Sequence, residues 1–182
     1  MRVIVAVTAA SGAIYARQCV ELLIKSGSVD RIALIYSREA EAVAQAEGVA
    51  MPDDNRIERY NNEDMWASPA SGSARWDSML IVPSTMGTVG RIASGVSQTL
   101  IERSADVMLK ERRRLVIVAR EAPYSLIHLR NMTTLTEAGA IIIPASPSFY
   151  FRPESIEELC LTISRRAVEL AGVAVDHREW GN

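Results

Sequence analysis

The sequence predicts an α/β protein, one domain built on a doubly wound, mainly parallel sheet. Short runs rich in Val and Ile recur along the chain and are apolar on both faces, as strands covered by helices on both sides must be. Stretches of helical periodicity separate them, the βαβα rhythm of parallel crossovers. The 182 residues, 48% hydrophobic and 23% charged, suit a single core of ordinary globular composition.

Taken in order, Val3–Thr8 is the first strand, Arg31–Tyr36 the second and Arg56–Tyr60 a short third. Met79–Pro83 is the fourth, Leu115–Arg120 the fifth and Ala140–Pro144 the sixth. The 3.6-residue spacing predicts helices over 13–25, 38–47, 88–112 with a break at Gly95, 125–138 and 154–171. The segment 49–76, rich in Pro, Asn, Ser and Gly, is a long excursion, and such excursions inside a compact domain are more often functional than idle. There is no internal repeat, low-complexity tract or linker, so 1–182 is read as a single domain.

Composition excludes several classes. A formal charge of −2 offers no basic field for nucleic acid. No apolar run approaches the ~20 residues that span a bilayer. The N-terminal MRVIVAVTAASG lacks the basic region of a signal peptide and is read as the first strand. Cys19 and Cys160 sit at apolar helix positions, as reduced core thiols do. His128 and His177 lie far apart, so no zinc cluster and no metal site is expected. A cytoplasmic protein is the expectation.

In open α/β sheets ligands bind beyond the carboxyl ends of the strands. The residues that follow the apolar runs there are Thr8-Ala9-Ala10-Ser11-Gly12, Ser37, Ser84-Thr85-Met86-Gly87-Thr88, Arg120-Glu121 and Pro147-Ser148-Phe149-Tyr150. Hydroxyls, small residues and an Arg-Glu pair would gather on one edge. Small residues let backbone N–H groups approach an anion, and helix N-termini favour one. Any one of these loops can equally be a turn or an N-cap; the set together points to a phosphorylated ligand. G-x-G-x-x-G and P-loop patterns are absent, so a mononucleotide fits better than NAD or ATP.

Two helices add cations. Arg103 and Lys110, seven residues apart, share a face about 10 Å along the axis. Leu100, Ile101, Ser104 and Met108 point the other way. Asp106 shares the basic face, so a solvated stripe with an internal ion pair reads as well as a ligand site. Arg112, Arg113 and Arg114 face solvent or a subunit. In the last helix Ile156, Leu159, Cys160, Ile163, Ala167 and Leu170 form one apolar face. Arg165 points nearly opposite, and Arg166 sits on its border, where a long stem packs while the head reaches inward. Leu161 and Val168 form a second strip, covered either by another subunit or within the monomer.

These residues carry a resemblance. PASGSARWDSMLIVPSTMGT, LIERSADVMLKERRRLVIVAREAP and GAIIIPASPSFYFRP together resemble the UbiX-type flavin prenyltransferases, formerly described as flavoprotein aromatic-acid decarboxylases, over nearly the whole chain. The resemblance implies a Rossmann or flavodoxin-like fold, a dodecamer and binding of FMN. It implies transfer of a dimethylallyl group from dimethylallyl phosphate to reduced FMN without a metal, and a UbiD-type decarboxylase as user of the prenylated FMN. By resemblance Ala9, Ala10, Ser11, Ser37, Thr85, Met86, Gly87, Thr88 and Arg120 hold FMN. Arg103, Lys110, Glu121, Tyr150 and Arg166 surround the donor phosphate. Ser11 and Glu47 serve proton transfers around the flavin, and Glu121 and Lys110 act on the leaving phosphate. The C-terminal helix and tail, 154–182, contribute oligomer contacts, and Trp180-Gly181 resembles a family feature that approaches a neighbouring site.

The implied chemistry suits the residue types. Cleaving an allylic C–O bond puts negative charge on the departing phosphate. Arginines offer bidentate donors to it and Lys110 a point charge, so several cations share the task of a metal. Glu121 beside them accepts donor protons or delivers one. As Arg120 and Glu121 alternate along a strand, one would face FMN and the other the donor.

Three departures from the family pattern stand out. The first loop reads Ala-Ala-Ser-Gly where Gly-Ala-Ser-Gly is usual, putting a Cβ at Ala9. The fourth reads Pro-Ser-Thr-Met where Pro-Cys-Ser is common. Met65 stands where some members carry tryptophan, with Trp66 its neighbour. Rival readings are an FMN-dependent cysteine-type decarboxylase, whose excursion carries a histidine that 49–76 lacks, and a non-catalytic FMN-binding subunit.

Overall fold

The computed structural model describes residues 1–175. His177 and the Trp180-Gly181 pair lie outside the described residues. Six strands alternate with helices: β1 (Arg2–Val7), α1 (Ala13–Lys25), β2 (Arg31–Tyr36), α2 (Ala40–Ala46), β3 (Ile57–Tyr60) and β4 (Ser78–Ser84) come first. Then follow α3 (Met86–Ala93), α4 (Leu100–Lys110), β5 (Arg114–Ala119), α5 (Leu126–Glu137), β6 (Ile141–Pro144) and α6 (Ile156–Leu170). The sheet order is β3-β2-β1-β4-β5-β6, and every pairing is parallel. This is the doubly wound order, in which β1 and β4 are neighbours although they belong to different halves.

The period of two in the strands builds both layers. Val3, Val5 and Val7 of β1 and Val116 and Val118 of β5 pack against α1 and α6. Ile4 and Ala6 of β1 and Leu115, Ile117 and Ala119 of β5 point oppositely, onto α3 and α4. Both sets are excluded from solvent, which is why the strands read as unbroken apolar runs.

Strand bounds agree with the sequence reading to within about one residue. The helix expected over 88–112 is broken around Gly95 as the sequence indicated, into α3, which begins at Met86, and α4, with Ser94–Thr99 between them. The new start has a local cause, since Glu102 accepts from the N–H groups of Gln98 (2.9 Å) and Thr99 (3.2 Å). The apolar face of α6 is also shifted. Cys160, Ile163, Ser164, Ala167 and Val168 are buried, whereas Ile156 is 74% exposed. Val168 is wholly inside the monomer, so only half-buried Leu161 of the second strip remains for outside cover. Cys19 and Cys160 are free and buried, and burial pushes the Cys19 thiol up to about 12.

The excursion is ordered by its own anchors. Trp76 is buried and its indole N–H donates to Ser68 Oγ at 3.0 Å, while the Arg31 guanidinium lies 5.2 Å from its ring centroid. Two single 3₁₀ turns follow each other, Ser68–Ala70 packing on α4 and Gly72–Ala74 packing on the first.

Leu80, fully buried in β4 among α1, α6 and the neighbouring strands, reports on this packing. Leu80→Ala is expected to lower stability by about 2–5 kcal/mol in denaturant unfolding; a loss below ~1 kcal/mol contradicts the two-sided burial.

Candidate active site at the carboxyl edge of the sheet

β1 feeds α1 on one face and β4 feeds α3 on the other, so the two connecting loops part above adjacent strands and leave a crevice. Thr8 ties its walls together below. Its N–H (3.2 Å) and hydroxyl (2.8 Å) both donate to the Pro83 carbonyl, and its oxygen accepts from the Thr85 N–H at 2.8 Å. Thr8 is buried, and this positioning role was not assigned from sequence. The only signal was a hydroxyl at the end of an apolar run. Above it lies a cavity of about 280 Å³ lined by Ala9, Ser37, Thr85, Thr88, Arg91 and Asn62 among others.

The sites expected for the flavin gather here. Ser37 follows β2 and its N–H donates to the Val7 carbonyl at 2.9 Å, which sets it beside the end of β1. Thr85 caps α3 by accepting from the Thr88 N–H at 3.2 Å, and the two hydroxyls lie 3.0 Å apart. Met86 and Ala10 turn their side chains into buried positions, so only their backbone is available at the rim. Among the described residues the N–H groups of Met86 and Gly87 make no hydrogen bond, leaving the start of α3 open to an acceptor.

The start of α1 is closed by a carboxylate. Glu47, at the end of α2, accepts from the N–H groups of Gly12 (2.9 and 3.1 Å) and Ala13 (2.8 Å). Gly12 has φ +108°, and a Cβ there would lie 2.8 Å from the Tyr15 ring, so only glycine fits. Partial burial works to raise the pKa of Glu47. Hydrogen bonds from Ser11, Gly12 and Ala13 outweigh it, Arg120 adds to them, and the carboxyl is held below its ordinary range. Burial, with Cys160 alongside, pushes the nearby Tyr15 phenol up to about 12, so it stays neutral.

The donor-phosphate set is not assembled within one chain. β5 ends at Ala119, one residue earlier than expected, and Arg120 continues the edge by donating its N–H to Ser84 O at 3.1 Å. Arg120 lies near Glu47 and Tyr15, whereas Glu121 accepts from the N–H of Ala122 at 3.1 Å. Tyr150 is exposed in the loop after β6, and Arg166 pairs with Glu169 at 3.4 Å on α6. Neither Arg103 nor Lys110 lines the crevice. Arg103 holds Asp106 at 2.6 Å and donates to Ala70 O at 3.1 Å; Lys110 ends α4 and pairs with Glu111, just before β5 at the amino edge of the sheet. Six residues of β5 separate that amino edge from Arg120, roughly 20 Å. In the excursion Trp66 is 98% exposed and Met65 partly so. Among the described residues no three His, Cys, Asp or Glu side chains are grouped to hold a metal ion, and no helix is long and apolar enough to cross a membrane.

A carboxyl with a lowered folded pKa adds stability above its unfolded value, and loses it as the pH falls through the folded one. Wild-type stability is therefore expected to fall from pH 4.5 downward more steeply than that of Glu47→Gln, read by thermal melting across pH 6 to 3. Parallel curves contradict the role of Glu47 at α1.

Comparison with known proteins agrees with this architecture. The pattern of the Flavoprotein family matches residues 1–167. The flavin prenyltransferase UbiX of Thermoplasma acidophilum is 41% identical over 184 residues, covering 97% of each chain. The crystal structure of AnUbiX (PadA1) with FMN and dimethylallyl pyrophosphate superposes with a TM-score of 0.90 at 40% identity, covering 100% of this chain and 97% of that one. A dodecameric FMN-dependent UbiX-like decarboxylase from Escherichia coli O157:H7 has a TM-score of 0.90 at 33% identity, covering 100% of both. With its crevice at the β1–β4 boundary and its likeness running from end to end, the chain belongs to the Flavoprotein family and, within it, to the UbiX-type flavin prenyltransferases.

Proposed function

We propose that this protein joins a dimethylallyl group from dimethylallyl phosphate to N5 and C6 of reduced FMN, giving prenylated FMN for a UbiD-type decarboxylase. The carrying observation is the crevice between the N-termini of α1 and α3, in a chain that aligns over its full length with a relative solved holding FMN and dimethylallyl pyrophosphate. The backbone of Ala9, Ala10, Ser11, Met86 and Gly87, the hydroxyls of Ser37, Thr85 and Thr88, and Arg120 would hold FMN. The residues present fit it: Glu47 already occupies the start of α1, whereas the start of α3 presents unused N–H groups and two hydroxyls to a phosphate. When bound, reduced FMN supplies the nucleophilic positions that receive the allyl group.

The chain's own residues act on the leaving group and on protons. Arg103, Lys110, Tyr150 and Arg166 would bind the donor phosphate and offset the charge that grows on it. Glu121 would deliver a proton to a phosphate oxygen. Glu47, kept ionised by its N–H partners, would accept a proton passed through Ser11 Oγ. Within one chain Lys110 lies at the opposite edge from Arg120, so the reading requires Lys110 from a second copy, and with it Arg103 of the same helix face. Exposed Leu126, Ile127, Phe149 and Phe151 favour such assembly, as does the dodecameric relative, and 154–182 would add contacts. The buried free thiols suit a reducing cytoplasm.

Anaerobic incubation with reduced FMN and dimethylallyl monophosphate is expected to raise the flavin mass by one dimethylallyl unit. Glu121→Gln should keep FMN bound while slowing transfer ~10²–10⁴-fold. An unchanged mass with the wild-type chain contradicts the transferase and leaves a non-catalytic flavin carrier. Lys110→Ala and Glu121→Gln chains, each strongly slowed alone, should regain part of the activity when unfolded and refolded together. No recovery contradicts a shared site.

A further inference from the structure

We infer that Arg91 is a further binding residue of this crevice, held in place by the buried carboxylate of Glu102, and that it selects the phosphorylated flavin over its dephosphorylated form. The inference rests on the reading of the crevice as the FMN site and assigns one contact within it.

Glu102 is 2% exposed at its side chain, and a carboxylate that deep is costly unless it is paired and hydrogen-bonded. Two backbone N–H groups, of Gln98 and Thr99, satisfy part of it. The rest falls to Arg91, whose Nε donates to Glu102 Oε1. That bond fixes a long, otherwise mobile side chain of α3 against α4.

The anchored guanidinium folds back across the first turn of its own helix. Nη2 donates to Thr88 Oγ1 at 3.3 Å, and Nη1 lies over Gly87, where a Cβ would come within 3.3 Å of it. Arg91 is still 49% exposed and lines the crevice, and among the described residues Nη1 makes no hydrogen bond.

This is an unfavourable place for a cation by itself. The N-terminus of α3 carries the positive end of the helix dipole, and its Met86 and Gly87 N–H groups point the same way. One carboxylate offsets one guanidinium and leaves the helix end uncompensated. An anion with several acceptor oxygens completes the site, taking Nη1, the backbone N–H groups and the Thr88 hydroxyl proton, since Thr88 Oγ1 already accepts from Arg91. Arg38, the other cation that lines the cavity, is 92% exposed and paired with Glu39 at 3.5 Å. Glu39 and Glu63 also line the cavity, and Glu39 pairs with Arg38, so a dianion is favoured at Arg91.

Equilibrium binding of oxidised FMN and riboflavin by the full chain, read by flavin fluorescence at low and high salt, tests this. The wild type is expected to prefer FMN. Arg91→Gln should weaken FMN about tenfold, leave riboflavin within about twofold and flatten the salt dependence. Because Arg91→Gln strands a buried carboxylate, the double variant Arg91→Gln/Glu102→Gln, which leaves no buried charge, decides if the single variant does not fold. If the wild type binds FMN while these variants keep its FMN-over-riboflavin ratio, or lose both flavins equally, the assignment of Arg91 is wrong and the flavin site stands. A wild type that binds neither flavin overturns both.

Discussion

Everything in this protein depends on two neighbouring parallel strands sending their helices to opposite faces of one sheet. β1 turns to α1 and β4 to α3, so the loops between them cannot close over the strand ends. A sheet without that reversal would cover its own edge. Here the edge stays open, and Thr8 pins both walls by bonding Pro83 and Thr85. The crevice is thus a consequence of topology, held at fixed width by a single buried hydroxyl.

Charge decides what the crevice accepts. α1, α3 and α4 all begin beside the crevice, where the first N–H groups of a helix have no partner within it. Glu47 accepts from the start of α1, Glu102 and Asn62 close the start of α4, and the N–H groups of Met86 and Gly87 leave the start of α3 open. The protein's own carboxylates thereby direct an outside anion to one place. The same carboxylates organise the neighbourhood: Glu47 draws Ser11 and Arg120 together, and Glu102 anchors Arg91.

The outward-facing residues form the counterpart of that crevice. Arg103 and Lys110 present their cations on α4, next to the ordered excursion, and do not line the crevice of their own chain. Leu126, Ile127, Phe149 and Tyr150 expose apolar area on the carboxyl side of the sheet. The proposed function calls for an assembly in which one chain's rim meets another chain's α4. Tight packing of the two-sided core fixes where each rim residue sits, which suits a site assembled from rigid pieces.

Much of this was legible in the sequence for a simple reason. Strands buried on both faces leave unbroken apolar runs, so the fold class, six strands and the residues at their carboxyl ends follow from pattern alone. Turn residues and hydroxyls after those runs marked Ser37, Thr85, Thr88 and Arg120 for the same reason. Helix periodicity, by contrast, put Ile156 on the main apolar face of α6 and Val168 on a second strip, and only the position of α6 over α1 buries Val168 and exposes Ile156. Spacing put Arg103 and Lys110 on one face but could not say that neither lines the crevice. Nor could it pair Glu47 with Gly12, or Arg91 with Glu102. Those contacts join separate elements, so they came into being only when the chain packed, and the tertiary structure alone decided which charges meet.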